Sequence, residues 1–312
     1  MKIIEKIFSI KNDKNKTHKI ITLFGIKLKI KKNFKYLNNN AQINNFGINT
    51  TEKDVVILGN GPSLKDTFAD KNDYDFIKNK DIFVVNSFVQ SEQFFTLKPK
   101  YLCLMDPIYW SLNQSKENSD SIDTDYKCLL KVDWDFTIFM PNAAFENCVF
   151  KNLMQENKHI KFKFINTRVF SKHEKYRYIE YKQNTAMPAV QNVLVSCLYL
   201  AINIGYKNIF IYGADHSWHL SLIVNNDNIP CIIDKHCYDK ENVTNYTPIY
   251  KDATHLNPFK ISELFNAYKI VHEQYEILEN YSKYMNSQIY NMSKFSCIDA
   301  FARKKIGDNN VK

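Results

Sequence analysis

The sequence predicts an α/β protein: a doubly wound, mostly parallel sheet in a single Rossmann-like nucleotide-binding domain, preceded by a basic segment and interrupted by a lid insertion. Three observations carry that expectation. Short runs of β-branched and aromatic residues recur from Val55 to Met292, helix-length stretches separate several of them, and polar residues stand at the ends of four runs. Strands that alternate with helices pair in parallel, and the ligands of such sheets bind outside the carboxyl ends of the strands.

Composition sets the outer limits. The 312 residues are 45% hydrophobic and 14% aromatic, which supplies a sizeable core and excludes a wholly disordered chain. Seven glycines and eight prolines exclude a collagen-like or Gly/Pro-rich repeat. Residues 1–36 hold eleven lysines against Glu5 and Asp13, an excess equal to the +9 of the whole chain. The remainder is therefore balanced, and the basic face that a nucleic-acid binder needs is not expected. The seven cysteines are odd in number and contain no CxxC spacing, so they read as reduced, cytosolic and mostly buried. No secretory signal is expected from residues 3–10, whose apolar run is short and interrupted. Residues 183–206 carry no charge, but Asn184, Pro188, Gln191, Asn192 and Asn203 break them up, so they predict a buried helix and not a membrane span.

Taken in chain order, the leader comes first. Ile26, Leu28 and Ile30 alternate with Lys27, Lys29 and Lys31, the period of an amphipathic strand. Such an element suits an anionic membrane surface, each lysine contributing on the order of 1 kcal/mol. It equally suits an edge strand whose lysines block aggregation. An Asn-rich linker is expected to close this segment at residue 54, with the catalytic domain over 55–312. Strands follow at 55–58, 82–85, 101–105, 136–139 and 160–165, a long helix over 189–204, and a strand at 208–212. Residues 217–258 are polar and without period, which predicts an irregular lid. A helix over 258–285, a strand over 288–292 and a short helix near 298–303 complete the pattern.

The chemistry should sit at the strand ends. Gly59-Asn60-Gly61-Pro62-Ser63 follows a buried strand directly. Its glycines allow close backbone approach, and Ser63 is a good N-cap for the next helix. A turn of this kind can offer amide N–H groups to a phosphate, or serve as a plain strand-to-helix connection. Asn86, Asp106, and Gly213 with Asp215 and His216 end three other strands. For acid/base work a neutral His216 beside Asp215 could take a proton from an acceptor hydroxyl, as could His272 on the long helix. Asp123-Thr-Asp125 has the DxD form used for divalent cations, but its polar surroundings read as a solvated loop. No metal is expected.

The segments Val55-Val-Ile-Leu-Gly-Asn-Gly-Pro-Ser-Leu-Lys65, Val84-Val-Asn86-Ser-Phe88 and Ala201-Ile-Asn-Ile-Gly-Tyr-Lys-Asn-Ile-Phe-Ile-Tyr-Gly-Ala-Asp215 resemble those of the bacterial lipooligosaccharide sialyltransferases. The resemblance extends to their relatives in O-antigen and capsule loci and to motility-associated flagellin glycosyltransferases. It covers roughly residues 55–305. It implies a modified GT-A-like fold, a CMP-activated sugar acid as donor, and inverting transfer onto a surface glycan or lipid-linked acceptor without metal or other cofactor. It places Gly59, Asn60, Gly61, Ser63, Asn86 and Gly213 around the nucleotide, Gln191 and Asn192 near the cytidine or ribose, and Asp106 where the family has asparagine. The chain departs from the family at Ser217 and Trp218, where tyrosines would assist the leaving phosphate. His272, His255 and His216 all remain open as the base.

The expected protein is thus a glycosyltransferase peripheral to the cytoplasmic face of the inner membrane, held there through residues 1–36 and possible as an oligomer. Two rivals remain: a diphosphokinase-like phosphoryl-transfer enzyme on a related fold, and a non-enzymatic glycan-binding accessory.

Overall fold

The computed structural model describes residues 8–12, 18–23, 26–31, 48, 50, 52–111, 116–170, 173–233, 236–237, 245–251 and 255–307. Residues 1–43 and 44–312 form two units. The first holds β1 (Phe8–Asn12), β2 (His18–Leu23) and β3 (Ile26–Lys31), an antiparallel sheet with β2 in the middle. The strand expected at 26–31 is β3, which pairs Ile26 with Leu23 and Leu28 with Ile21. The Asn-rich linker lies, up to residue 47, outside the described residues.

The second unit is built on eight strands: β4 (Asp54–Leu58), β5 (Asp81–Val85), β6 (Tyr101–Cys103), β7 (Phe136–Pro141), β8 (Ile160–Ile165), β9 (Asn208–Tyr212), β13 (Gln288–Asn291) and β14 (Ala302–Arg303). Their order is β14-β13-β9-β4-β5-β6-β7-β8, and every pairing is parallel. From β4 the chain steps outward to β8, then returns to lay β9 against the other side of β4. The point between β4 and β9 is the topological switch point, where the loops of an open parallel sheet diverge and leave a crevice.

The helices are α1 (Leu64–Ala69), α2 (Lys71–Ile77), α3 (Glu92–Leu97), α4 (Lys116–Leu129), α5 (Leu153–Glu156), α6 (Glu174–Lys182), α7 (Val193–Ile204) and α8 (Ile261–Tyr284). They cover both faces. Val55, Ile57, Phe83, Val85, Ile209 and Ile211 pack with α6, α7 and α8, whereas Val56, Leu58, Ile82, Val84, Phe210 and Tyr212 pack with residues of α1 to α5. Alternate side chains of a strand point to opposite faces, so two covered faces require the continuous apolar runs seen at 55–58 and 82–85. The helix expected over 189–204 begins at Val193, because Asn192 Oδ1 accepts the Leu194 N–H at 2.8 Å as its N-cap; Gly205, with φ +109°, closes it.

Three expectations need correction. Residues 217–258 are not wholly irregular: a 3₁₀ turn at Trp218–Ser221 leads to β10 (Ile223–Val224), β11 (Pro230–Ile232) and β12 (Thr247–Pro248), a small antiparallel sheet. Residues 234–235, 238–244 and 252–254 of the lid lie outside the described residues. Instead of a helix at 298–303 the chain forms β14, because the exposed edge of β13 offers it a parallel partner. Asp123 and Asp125 lie on α4, not in a solvated loop. Asp125 is 2% exposed and accepts hydrogen bonds from Gln90 Nε2 at 2.7 Å, Ser87 Oγ at 3.1 Å and the Tyr109 hydroxyl at 3.4 Å. Burial raises its carboxyl above the ordinary aspartate value, against the pull of those donors.

Candidate functional site

The loops that leave β4 and β9 run side by side. Gly59 N–H donates to Tyr212 O at 2.8 Å and Gly61 N–H to Gly213 O at 2.9 Å. A Cβ on Gly61 would lie 2.3 Å from Asp215 Oδ1 and 2.6 Å from Gly213 O, so a larger residue would force the two strand ends apart. The glycines of this turn are therefore needed for protein–protein contact at the switch point. Two of the turn's backbone donors, the Gly59 and Gly61 N–H groups, are thus already engaged within the protein. Ser63 N–H donates to Asp215 Oδ2 at 2.9 Å, and the Ser63 hydroxyl donates to Oδ1 at 2.5 Å. Asp215, 6% exposed, thus fills the position before α1 that an anionic ligand would take. Burial raises its carboxyl, and the two Ser63 bonds oppose that shift. The expected N-cap role of Ser63 gives way to this contact, since its side chain caps no helix N–H.

From the other side, the segment after β13 is bolted to the same strand end. Ala214 N–H donates to Ser293 Oγ at 3.0 Å, Ser296 Oγ donates to Ala214 O at 2.6 Å, and Cys297 N–H donates to Asp215 O at 2.8 Å. Beside this knot lies a cavity of about 520 Å³, within the size range of small-molecule sites. Gly59, Asn60, Gly61, Asn86, Asn192, Gly213, Asp215 and His216 all line it. The turns after β4, β5 and β9 and the N-terminus of α7 therefore converge, whereas the fourth expected strand end, Asp106 after β6, does not join them. The insertion adds Leu220, Ser221, Ile233 and His236, and the segment after β13 adds Phe295.

Four expected residues lie outside this wall. Ser63 is turned to Asp215. Asp106 is exposed and caps a 3₁₀ turn, accepting the Ile108 N–H at 3.0 Å. Gln191 is exposed one residue before the cap of α7. His272 sits behind His216, ring centroids 6.3 Å apart and edge-on. His255, the third candidate for the base, stacks on Tyr250 and is also absent from the wall.

His216 has the most unusual environment. Its backbone is left-handed at φ +52°, it is 6% exposed, and Trp218 lies over its ring at 4.4 Å. Nε2 is 3.2 Å from the Tyr275 hydroxyl on α8, whereas Nδ1 is buried without a partner. Burial, reinforced by His272, pulls its pKa down to about 3, so the ring is neutral across the physiological range. A ring held that low is a weaker base than the ordinary histidine expected beside Asp215. Seven buried side-chain atoms among the described residues have no partner, and three of them belong to the cavity wall: Asn60 Oδ1, Asn86 Oδ1 and His216 Nδ1. The Asn60 amide nitrogen donates to Val85 O at 3.3 Å, which fixes its oxygen as the unpaired end. Asn86 is itself left-handed at φ +48°. Buried polar groups are normally paired, so this concentration marks where a ligand would complete the bonding.

No lysine or arginine occurs among the described residues of the wall, and no group of three metal-ligating side chains occurs among the described residues. His236 is among the histidines that the sequence places in or beside the lid, whereas Leu220, Phe295 and Tyr275 are not expected from it. Only Tyr275 had a usable signal, lying three residues after His272 and so on the same side of α8.

No family model matches the sequence, and no curated protein is similar to it. Among solved structures, the MAf glycosyltransferase from Magnetospirillum magneticum AMB-1 aligns with a TM-score of 0.42 and 10% identity. The alignment covers 83% of this chain and 34% of that one, so this chain spans about a third of the length of that protein.

Proposed function

We propose that the chain is a glycosyltransferase whose donor is a sugar activated by a single phosphate, as in a CMP-linked sugar acid. The observation that carries this reading is the switch-point cavity, whose wall leaves His216 Nδ1 unpaired for a phosphate oxygen and Asn60 Oδ1 and Asn86 Oδ1 unpaired as acceptors for the hydroxyl or amino groups of a nucleoside or sugar, with no described lysine or arginine. A nucleoside di- or triphosphate brings several negative charges and calls for cations or a metal cluster. A singly charged phosphodiester can be held by neutral donors. The motif resemblance around Gly59–Ser63 and Gly213–Asp215 points to the same donor class and to an inverting, metal-independent reaction.

On this reading the acceptor hydroxyl attacks the anomeric carbon while the bond from that carbon to the phosphate oxygen breaks. CMP leaves with the electron pair, and a base takes the acceptor's proton. His236 is the imidazole that fits this task, half-buried in the wall, because His216 is engulfed and His272 stands behind it. The acceptor is a surface glycan or its lipid-linked precursor, and residues 1–36 hold the enzyme to an anionic membrane.

A thermal-shift series with CMP, CDP, UDP, GDP and ATP, with and without EDTA, tests the reading. A ligand at 100 times its Kd adds about 2.7 kcal/mol, enough to raise Tm visibly. CMP stabilisation that survives EDTA is expected. Stabilisation by magnesium-ATP alone would replace the reading with phosphoryl transfer. Glycan binding with no nucleotide response would replace it with a binding accessory.

A further inference from the structure

A phosphate held in this cavity needs hydrogen-bond donors, and several of those at the glycine turn are already committed. Gly59 and Gly61 give their N–H groups to Tyr212 O and Gly213 O, and Ser63 gives both of its donors to Asp215. Asn60 gives one of its two amide N–H bonds to Val85 O. The unpaired amide oxygens of Asn60 and Asn86 are acceptors and repel an anion. One buried, unpartnered nitrogen remains in the wall, His216 Nδ1.

A neutral imidazole carries one N–H, and the bond at one nitrogen decides which. The Tyr275 hydroxyl lies 3.2 Å from Nε2 and at the longer distance of 3.5 Å from Asn192 Oδ1. When Tyr275 donates across the shorter contact, Nε2 is the acceptor and the proton sits on Nδ1. The left-handed backbone at φ +52° and the flanking Trp218, itself stacked on Tyr268, hold the ring in place.

We propose that His216 binds a phosphate oxygen of the donor substrate through Nδ1–H, and that Tyr275 is the positioning residue that fixes this tautomer. The proposal rests on the nucleotide-sugar reading of the cavity. It assigns His216 to substrate binding and removes it from proton transfer. The ionisable groups around the ring are Asp215 from its own segment, already engaged by Ser63; His272, Tyr275 and Tyr268 from α8; and His236 from the insertion. Asp215 does not counter the imidazole, so nothing on these elements supplies the carboxylate that would favour a charged ring.

The test uses the whole chain, labelled with 15N-histidine, and a cytidine 5′-phosphate methyl ester, whose phosphate keeps a single charge across the titration. His216 is assigned by the signal lost in His216→Asn. Its nitrogen shifts should report a neutral Nδ1–H ring that does not titrate between about pH 5.5 and 8. The ester should move Nδ1 and cytidine should not. Tyr275→Phe should convert the ring to mixed tautomers. His216→Phe should weaken the ester at least about tenfold, as expected for losing one bond to a charged group, and leave cytidine within about twofold; His216→Asn, which keeps a donor near the same place, should recover part of the loss.

An Nε2–H tautomer, titration in that range, or a bound ester that leaves Nδ1 unmoved would overturn the proposal while leaving the nucleotide-sugar reading intact. Absence of any nucleotide binding would remove both. The wild-type spectrum decides between tautomers whether or not the variants fold.

Discussion

The two sides of the cavity are built in opposite ways. On the sheet side, Gly59, Gly61, Ser63, Ala214 and Asp215 are tied to one another or to Ser293–Cys297 by short hydrogen bonds, and no space is left for a Cβ at Gly59 or Gly61. On the insertion side, Leu220 is 66% exposed and the strands of the small sheet are two or three residues long. Backbone groups that already bond to protein form a fixed frame, and side chains left bare to water gain most when a ligand covers them. The difference separates stability from recognition. Changes to the first wall should act on folding, and changes to the second on binding.

Gly61→Ala should break the first wall most severely. Its Cβ would press on Gly213 O, a backbone atom, and on a carboxylate oxygen held by Ser63. A loss of about 3 kcal/mol is expected, at the upper end for overpacking. Urea denaturation measures it, and a loss below about 0.5 kcal/mol would mean that the strand ends can separate freely.

That knot shows where the sequence can and cannot be read. Val55 to Leu58 and Ile82 to Val85 announce their strands because both faces are buried, and Gly59 and Gly61 announce a close approach. What Gly61 approaches is Asp215, a residue far along the chain that also holds Ser63, 152 positions away from it, and no local pattern reveals such a partner. Polar α4 is unreadable for a related reason. Ile122, Tyr126, Cys128 and Leu129 are its only apolar residues, and Asp125 is accommodated in the interior only through Ser87, Gln90 and Tyr109. The apolar spacing of Ile298 and Phe301 suggests a helix, but the open edge of β13 draws the next residues into β14. His216 reads as a base from its place beside Asp215; α8, packing Tyr275 and His272 against it, makes it a neutral buried ring.

Acid should sharpen the contrast by acting on the first wall. His216 is held near a pKa of about 3 by burial, against 6.5 when exposed. A group whose folded pKa is lowered binds fewer protons in the native state, so its contribution is full above the unfolded value and is lost as pH falls towards the folded one. Between pH 7 and pH 5 this loss should reach about 2 kcal/mol. Asp215 acts with the opposite sign: its raised carboxyl favours the native state below 3.8, an advantage lost as pH rises through the folded value. Asp215 is common to both proteins, so denaturation series on wild type and His216→Phe should differ in slope between pH 7 and pH 5 through His216 alone. Equal slopes would mean that the ring is charged or wet in the native protein.

The second wall should give the smallest change in stability and the clearest change in binding. Leu220 and Phe295, 66% and 48% exposed, line the cavity without supporting the sheet core. Truncating either to alanine should alter folding by less than about 0.5 kcal/mol, as for most surface positions. Covering the same side chains with a nucleotide base or sugar ring removes apolar area from water at about 25 cal/mol per Å². A contact of about 40 Å² is then worth about 1 kcal/mol, or about fivefold in Kd. Calorimetric titration of CMP into Leu220→Ala and Phe295→Ala should show that weakening with Tm unchanged in the absence of ligand. Should both variants instead lose stability and keep their affinity, the two side chains would belong to the frame, and recognition would rest on Asn60, Asn86 and His216 alone.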